Sequence, residues 1–523
     1  MITRRTAVRQ ARQEAAELAF LRSHPQPLSN GEESAYRNPG LGTLNYIANY
    51  SKGLPHTNPL DEVDPAAYRA LLKAVTSGAL DDFERIPLGG TGKFVNPQAG
   101  LAFDLEGPDA HAVTIPPAPR IDGSENSGEM AELYWMALLR DVRFTDYGTG
   151  AGTDAGPNTT TDAANSLTAD FSVFKGPRDP ATGNITPATL FRGFSPGDRV
   201  GPYVSQFLLK PIVFGTLRFR QRQRTAASGM DYMMDVPSWL AIQNGAPAGP
   251  DVFDPVRRYI RNIRDLATYV HFDQLYEAYF NACLILLSMG APFDPGNPYT
   301  DSGTQRGFGT FGGPHILTLV TEVATRALKA VWYQKWFVHR RLRPEAFGGL
   351  VHKQLTAGAA YPIDPEILDT SPGSVLDRIH NHNLSKGHDS FLLPQAFPEG
   401  SPMHPSYGAG HATVAGACVT ILKAWFDESF VIPNPVIPNA AGTALQAAPA
   451  GTPPLSVGGE LNKLAANIAI GRNMAGVHWR SDYTESVKLG EAIAIGILEE
   501  QKLSYNEPYS FTLTKFDGTA ITI

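Results

Sequence analysis

Three segments of this 523-residue chain carry residue types whose spacing could do chemistry, and each points at an anion. The first is K-W-F-V-H-R-R-L-R-P at 335–344. On a helix, Lys335, His339 and Arg343 lie roughly along one side, because eight residues at about 100° each leave only a modest offset. Ala324, Leu328 and Val331 fall on that same side in the preceding turns and should face the core. A lysine and an arginine aimed inward need an anion, since an unpaired buried charge is very costly. The competing reading is a basic helix end that snorkels to solvent. The second segment is H-P-S-Y-G-A-G-H-A-T-V-A-G-A at 404–417. Small residues lead into a helix whose first N–H groups form an anion-binding nest, with His404 and His411 both in reach. Its competing reading is a glycine-rich turn. The third is R-N-M-A-G-V-H-W-R-S-D at 472–482, where Arg472 closes an apolar helix carrying Leu461, Leu464, Ala465 and Ile468. Arginine can fork two donors onto an oxyanion, and His478 offers one nitrogen as a covalent or metal-type ligand. Asp482 either orients that imidazole or caps the next helix; the sequence leaves both open.

Other motifs carry less. Gly89-Gly90-Thr91-Gly92-Lys93 has the wrong spacing for a phosphate loop and Phe94 in place of its Ser/Thr, so a turn is expected. His380, His382 and His388 cluster without a carboxylate at matching helical spacing and read as a polar loop. Asp294, Asn297, Asp301 and Thr304 offer oxygens of the kind Ca²⁺ uses, but without EF-hand spacing a hydrogen-bonded turn is the better reading.

The elements that must position these residues are mainly helices. Residues 127–142 read as an amphipathic helix, and 148–200, rich in Gly, Thr, Asp and Pro, as a long surface excursion. Residues 254–289 give a nearly continuous helical pattern ending at Gly290. An apolar run from Ile316 to Arg343 should stop at Pro344. Further helices are expected at 411–426, at 460–478 and from Asp482, where Asp482 and Glu485 form a capping pair. A short hairpin is expected over 511–523 around Asp517-Gly518.

Composition excludes several classes. Lys+Arg 44 against Asp+Glu 51 gives a net charge of −7 with no basic block, so nucleic acid is a poor partner. No apolar run reaches the roughly 18 residues of a membrane span. Cys283 and Cys418, both in apolar helical sequence, read as buried free thiols rather than a disulfide framework. Arg9, Arg12 and Glu14 stand where a signal peptide needs an apolar stretch, so the default expectation is a soluble, unexported, cytoplasmic protein.

Taken in order, K-x7-R-P, then G-H, then R-x5-H-x3-D resembles the vanadium-dependent haloperoxidases. That family shares its anion site with the type-2 phosphatidic-acid phosphatases and bacterial acid phosphatases. The seven-residue spacer, with His404 seven before His411, is similar to the red-algal and cyanobacterial bromoperoxidase branch. So are the segments 132–142, 264–279 and 321–336. The resemblance implies an all-α fold of two helical bundles in one large domain spanning 1–523, with long loops and minor short β-hairpins. A first bundle would occupy the loop-rich 1–250, a second, carrying the site, 251–505, and a hairpin tail 506–523. It implies an orthovanadate cofactor held by Lys335, Arg343 and Arg472 with the Gly410 N–H, and His478 as the vanadium ligand. His411 would be the acid–base histidine, and His404 a second histidine near the halide and proton path. Hydrogen peroxide would oxidise a halide, bromide above all, to hypohalous acid that halogenates organic acceptors. A large homo-oligomer, a dodecamer, is implied as well. One departure stands out: Ala409 replaces the serine usual in the family, and Ser406 is too far along to be assumed a substitute. The alternative use of such a site is phosphohydrolysis, with His478 as a phosphorylated nucleophile and His411 as general acid.

Overall fold

A computed structural model describes residues 3–38 and 41–523. Fourteen α-helices lie among them: α1 Arg4–Leu21, α2 Pro65–Ser77, α3 Leu80–Glu84, α4 Ser124–Leu138, α5 Thr160–Ala169, α6 Val236–Gln243, α7 Ile263–Phe272, α8 Glu277–Met289, α9 Gly313–Tyr333, α10 Pro344–Ala357, α11 Val375–Ser385, α12 Gly410–Trp425, α13 Val457–Met474 and α14 Arg480–Gln501. Three antiparallel two-stranded hairpins complete the fold: β1 Ile212–Phe214 with β2 Leu217–Phe219, β3 Val436–Pro438 with β4 Leu445–Ala447, and β5 Thr512–Thr514 with β6 Ala520–Thr522. The last hairpin pairs Leu513 with Ile521 around the expected Asp517-Gly518 turn. No helix of the described residues is long and apolar enough to cross a membrane.

The centre of the molecule is α12, buried on every side from Ala412 to Trp425, as expected of a helix apolar all round. It packs against α9, α13 and α14. Its contact with α14 is backbone on backbone. A Cβ at Gly416 would run into the Val487 carbonyl oxygen, and one at Gly490 into that of Thr413. The two glycines therefore set the distance between the helices. Gly416→Ala is expected to push them apart at a cost of about 1–3 kcal/mol. A thermal melt unchanged from the parent protein would contradict this.

Buried charge ties the first part of the chain to the last. Glu132 on α4 takes both Arg480 Nε, at 2.9 Å, and Arg480 Nη2. Glu129, one turn earlier, accepts the Ser481 N–H at 2.5 Å and Arg341 Nη2 at 2.8 Å. One hydrophobic core accordingly runs from Ile47 to Ile523.

Several expectations are corrected. Residues 148–200 are no mere surface excursion: α5 lies within them, and Leu167, Phe171, Leu190 and Phe191 are buried in the main core. The run 254–289 is two helices, broken between Phe272 and Glu277. The run 316–343 is not one helix either. α9 passes into a π-helical turn, Gln334–His339, and Arg340 then closes it with a left-handed φ of 41°. Glu33 fixes Arg340 there through Nε and Nη2, both at 2.7 Å. Pro344 starts α10 rather than ending α9, since its fixed φ and missing N–H suit a first helical position. The third site helix ends at Met474, leaving His478 in a link. His380 and His382 sit on α11 instead of a polar loop and bind Asp389 and Asp231, at 2.7 and 3.0 Å. The 294–304 segment is a turn as expected: Asp294 Oδ1 accepts the Gly296 N–H and Asn297 Oδ1 that of Tyr299. Gly89 lies in a bend, and Gly89 and Gly92 donate to the carbonyls of Gly53 and Gly245, remote in sequence. Both cysteines are free and buried.

Candidate active site

Lys335, Arg343, Gly410, His411 and Arg472 sit where a helix begins, ends or changes pitch, and His404 and His478 lie in the links between helices. Lys335 lies in the π-turn with no exposed surface, and its Nζ donates to the Pro405 and Ser406 carbonyls at 2.8 and 2.9 Å. Arg343, extended just before Pro344, is the N-cap of α10. Its Nε donates to the His404 carbonyl at 2.9 Å and its Nη1 to that of Val477 at 2.7 Å. Nη2 reaches His404 Nδ1 at 2.9 Å, and Nη1 reaches His478 Nε2 at 3.0 Å. The break at Arg340 is what brings Lys335 and Arg343 together. His339, expected on their side, instead bonds Gln334 Oε1 at 3.3 Å and packs edge-on to Tyr407.

His478 is oriented by Asp482, whose Oδ2 lies 2.7 Å from Nδ1. A guanidinium can only donate, so Nε2 presents its lone pair and Nδ1 carries the proton, a tautomer assigned from these partners. Asp482 Oδ2 also accepts the Trp479 N–H at 3.1 Å and the Ser406 hydroxyl. Its Oδ1 takes Arg341 at 2.9 Å. Both readings left open for Asp482 hold at once: it orients the imidazole and caps α14.

Arg472, in the last turn of α13, donates Nη1 to the Val270 carbonyl at 3.0 Å, and its buried Nε has no partner. Gly410 opens α12, and a Cβ there would stand 3.1 Å from the Trp332 ring. His411 Nε2 meets Asp273 Oδ1 at 3.0 Å. Asp273 follows α7 in the break before α8, and its buried Oδ2 has no partner. Sequence reasoning missed it because that stretch read as continuous helix. The available signal was a lone carboxylate within H-F-D-Q at the end of an apolar run.

A cavity of about 290 Å³ opens beside these groups; Arg472 lines it, whereas Arg343 sits behind His404 and His478, and Lys335 behind the 405–406 backbone. His404, Gly410, His411, Arg472 and His478 line it together with the apolar Leu328, Trp332 and Pro402. Arg472 shares the lining with the carboxylates of Asp273 and Glu399. Among the described residues, Lys335, Arg343 and Arg472 form no ion pair with a carboxylate; Asp482, which acts on Lys335 and Arg343, is held by Arg341 and His478. Burial, then the Arg343 charge, holds the Lys335 ammonium well below its ordinary range. Arg343 is pushed down to about 10 by burial. His478 and His404 are both depressed far below an ordinary histidine, by burial first and then by Arg343 and Lys335. Burial also lowers His411, against the pull of Asp273. The imidazoles are therefore neutral near pH 7. The cation surplus, the orphaned Arg472 Nε and the Nε2 lone pair of His478 together fit a compact tetrahedral oxyanion with a ligand position for nitrogen.

A family model described as the VCPO second helical-bundle domain matches residues 385–506. The chain is 43% identical to the vanadium-dependent bromoperoxidase of Corallina officinalis, over 97% of this chain and 96% of that protein. It is equally 43% identical to that of Corallina pilulifera, over the same shares. This chain belongs to the vanadium-dependent bromoperoxidases. A solved homohexameric vanadate-dependent bromoperoxidase, AnII of Ascophyllum nodosum, superposes with a TM-score of 0.90 at 33% identity, covering 99% of this chain and 90% of that one.

Within a bromoperoxidase, positions beside the anion site are candidates for halide preference, and of Gln334, Trp336, Phe337 and His404 the first three turn away. Gln334 donates to the Val113 carbonyl at 3.1 Å. Trp336 is buried against Tyr50 and Phe94, and Phe337 stacks on Tyr333. His404 alone of that set faces the cavity, tilted against Trp332 at 4.9 Å. The apolar wall comes from Leu328, which spacing placed on the side of Lys335 and Arg343, and from Trp332, which it did not single out. Ala409 is buried directly before Gly410, and its N–H donates to Ser486 Oγ at 2.8 Å.

Proposed function

We propose that this bromoperoxidase holds orthovanadate in the cavity between α9, α12 and α13 and oxidises bromide with hydrogen peroxide to hypobromous acid, which halogenates organic acceptors. The observation that carries this reading is the set of three buried cations without a carboxylate partner, gathered at His478, whose Nε2 lone pair meets Arg343 Nη1. Bound vanadate supplies a Lewis-acid centre that activates peroxide without changing oxidation state. Lys335, Arg343 and Arg472 balance the oxyanion's charge, joined by the free N–H of Gly410 at the start of α12. His478 is the metal ligand, its lone pair aimed by Asp482. His411 holds or releases a proton at the cavity face while Asp273 fixes its ring. His404 and Trp332 shape the approach for halide.

The bromination of a phenol indicator, with and without added vanadate, tests this beside the hydrolysis of nitrophenyl phosphate. Vanadate-dependent bromination is expected. Phosphate-ester hydrolysis without bromination would replace it by the phosphohydrolase reading.

Ala409 predicts a weakness that can be repaired. Ser406 spends its hydroxyl on Asp482, so no hydroxyl stands in for the missing serine. Ala409→Ser should tighten vanadate binding about ten-fold, from about 1.5 kcal/mol for one hydrogen bond to a charged partner. A titration giving the same Kd would show that position 409 does not face the anion.

The protein forms homo-oligomers, and a dodecamer is the assembly we propose. It is supported by α1, which has no buried residue, and by the exposed apolar Phe20, Leu21, Phe103 and Leu105. Light scattering distinguishes twelve copies from six. No Ca²⁺ is assigned to the 294–304 turn.

A further inference from the structure

The mouth of the catalytic cavity holds a second convergent group that the peroxidase reading leaves unused. Asp251, His271 and Glu399 bring one imidazole nitrogen and two carboxylate oxygens within 4.8 Å of one another. His271, in the last turn of α7, and Glu399 line the same cavity as His404, His411, Arg472 and His478. The imidazole is clamped in place, stacked on Phe397 at 3.8 Å and 6° and edge-on to Phe272 at 4.5 Å. Its Nε2 points at Glu399 Oε1, 2.7 Å away. Asp251 Oδ1 is shielded from solvent and has no hydrogen-bond partner. Among the described residues, neither carboxylate pairs with a lysine or arginine. Lys52 reaches only the backbone carbonyl of Glu399 and spends its charge on Glu345, while Arg224 lies over the Phe253 ring at 3.5 Å. Burial, then the like charge of Glu399, raises the Asp251 carboxyl above its usual range.

Two carboxylates without a lysine or arginine partner, a fixed imidazole and an acceptor without a donor lack one thing, a cation. We propose that Asp251, His271 and Glu399 form a binding site for a divalent transition-metal ion, Zn²⁺ or Mn²⁺. Mixed imidazole and carboxylate donors suit these ions, whereas Ca²⁺ asks for six to eight oxygens. Bond lengths of about 2.0–2.2 Å put tetrahedral ligands about 3.4 Å apart. The Glu399 side chain, 41% exposed, is free to make that closure. Binding takes the His271 tautomer protonated at Nδ1, exchanges the Nε2–Glu399 hydrogen bond for two metal bonds, and leaves water in the remaining position. The ion cancels the negative charge at the doorway through which bromide must pass.

The test is calorimetric titration of the metal-free full-length protein with ZnCl₂, alongside Mn²⁺ binding followed by electron paramagnetic resonance. One ion per chain is expected. His271→Ala and Asp251→Asn should each weaken it at least ten-fold while the metal-free melting temperature holds, and His380→Ala, on the remote His380–Asp389 pair, should leave it unchanged. Anomalous diffraction from a Zn²⁺-soaked crystal should place the ion among the three side chains, whatever the variants do to folding. No stoichiometric uptake, uptake that both variants retain at parental affinity, or an anomalous peak elsewhere would overturn the site. None of these readouts depends on peroxidase activity, so failure here leaves the vanadate reading standing, and the converse holds.

Discussion

His478→Ala should abolish stoichiometric vanadate binding and bring bromination to background. Partners that merely orient a metal ligand are worth about 10–100-fold in affinity, so losing the ligand itself should cost more than about 100-fold. The effect belongs to the site rather than the fold. Arg343 keeps its bonds to the Val477 and His404 carbonyls, and Asp482 keeps Arg341, Ser406 and the Trp479 N–H. The melting temperature of the vanadate-free variant should therefore move little. Equilibrium dialysis with vanadate and a bromination assay read the two halves separately. Full activity in the variant would remove His478 as the ligand and leave the three cations as a generic anion trap.

Asp482→Ala should damage both fold and site. Its carboxylate, with no exposed surface, serves four donors on three stretches of chain: Arg341, Ser406, the Trp479 N–H and His478 Nδ1. Removing one partner of a buried charged network costs about 3–5 kcal/mol, because the remaining charge stays unpaired. The freed imidazole can also rotate, so vanadate affinity should fall a further 10–100-fold. Asp482→Asn keeps an acceptor for the cap but turns an amide toward either Arg341 or His478. It should retain more stability than affinity. Urea unfolding and vanadate titration separate the two, and an Asn variant matching the parent in both would refute the carboxylate's role.

The residues meant to hold the anion were legible because their types are chemically unusual where they stand. A lysine and arginines in apolar helical sequence, and glycines leading into a helix beside histidine, carry their own argument. What stayed hidden depends on breaks that hydrophobic periodicity does not report. The helical pattern through 254–289 concealed the stop that delivers Asp273 to His411. The run to Arg343 concealed the π-turn and the left-handed Arg340, held by Glu33 from the far end of the sequence. Glu129 and Glu132 read as the polar face of an amphipathic helix, yet both are buried. Their partners on α14 lie more than 340 residues away, and Arg341, which also meets Glu129, lies 212 away, pairings no local window contains. Low periodicity across 148–200 suggested surface, but irregular chain packs as deeply as helix when its aromatic side chains find the core.

Those two glutamates carry a consequence for how the protein lives and dies. A fragment spanning 385–506 would keep His404, His411, Arg472 and His478, yet strand the Arg480 guanidinium and the Ser481 amide without their acceptors on α4. It would also lack Lys335 and Arg343. Anion capture and global folding are thus one thermodynamic coordinate, in which a ligand that binds only the native chain stabilises all of it by RT ln(1 + [L]/Kd). Vanadate becomes a reporter of the whole molecule's integrity: a thermal-shift trace against its concentration reads the site's affinity and the cooperativity of the fold in a single curve.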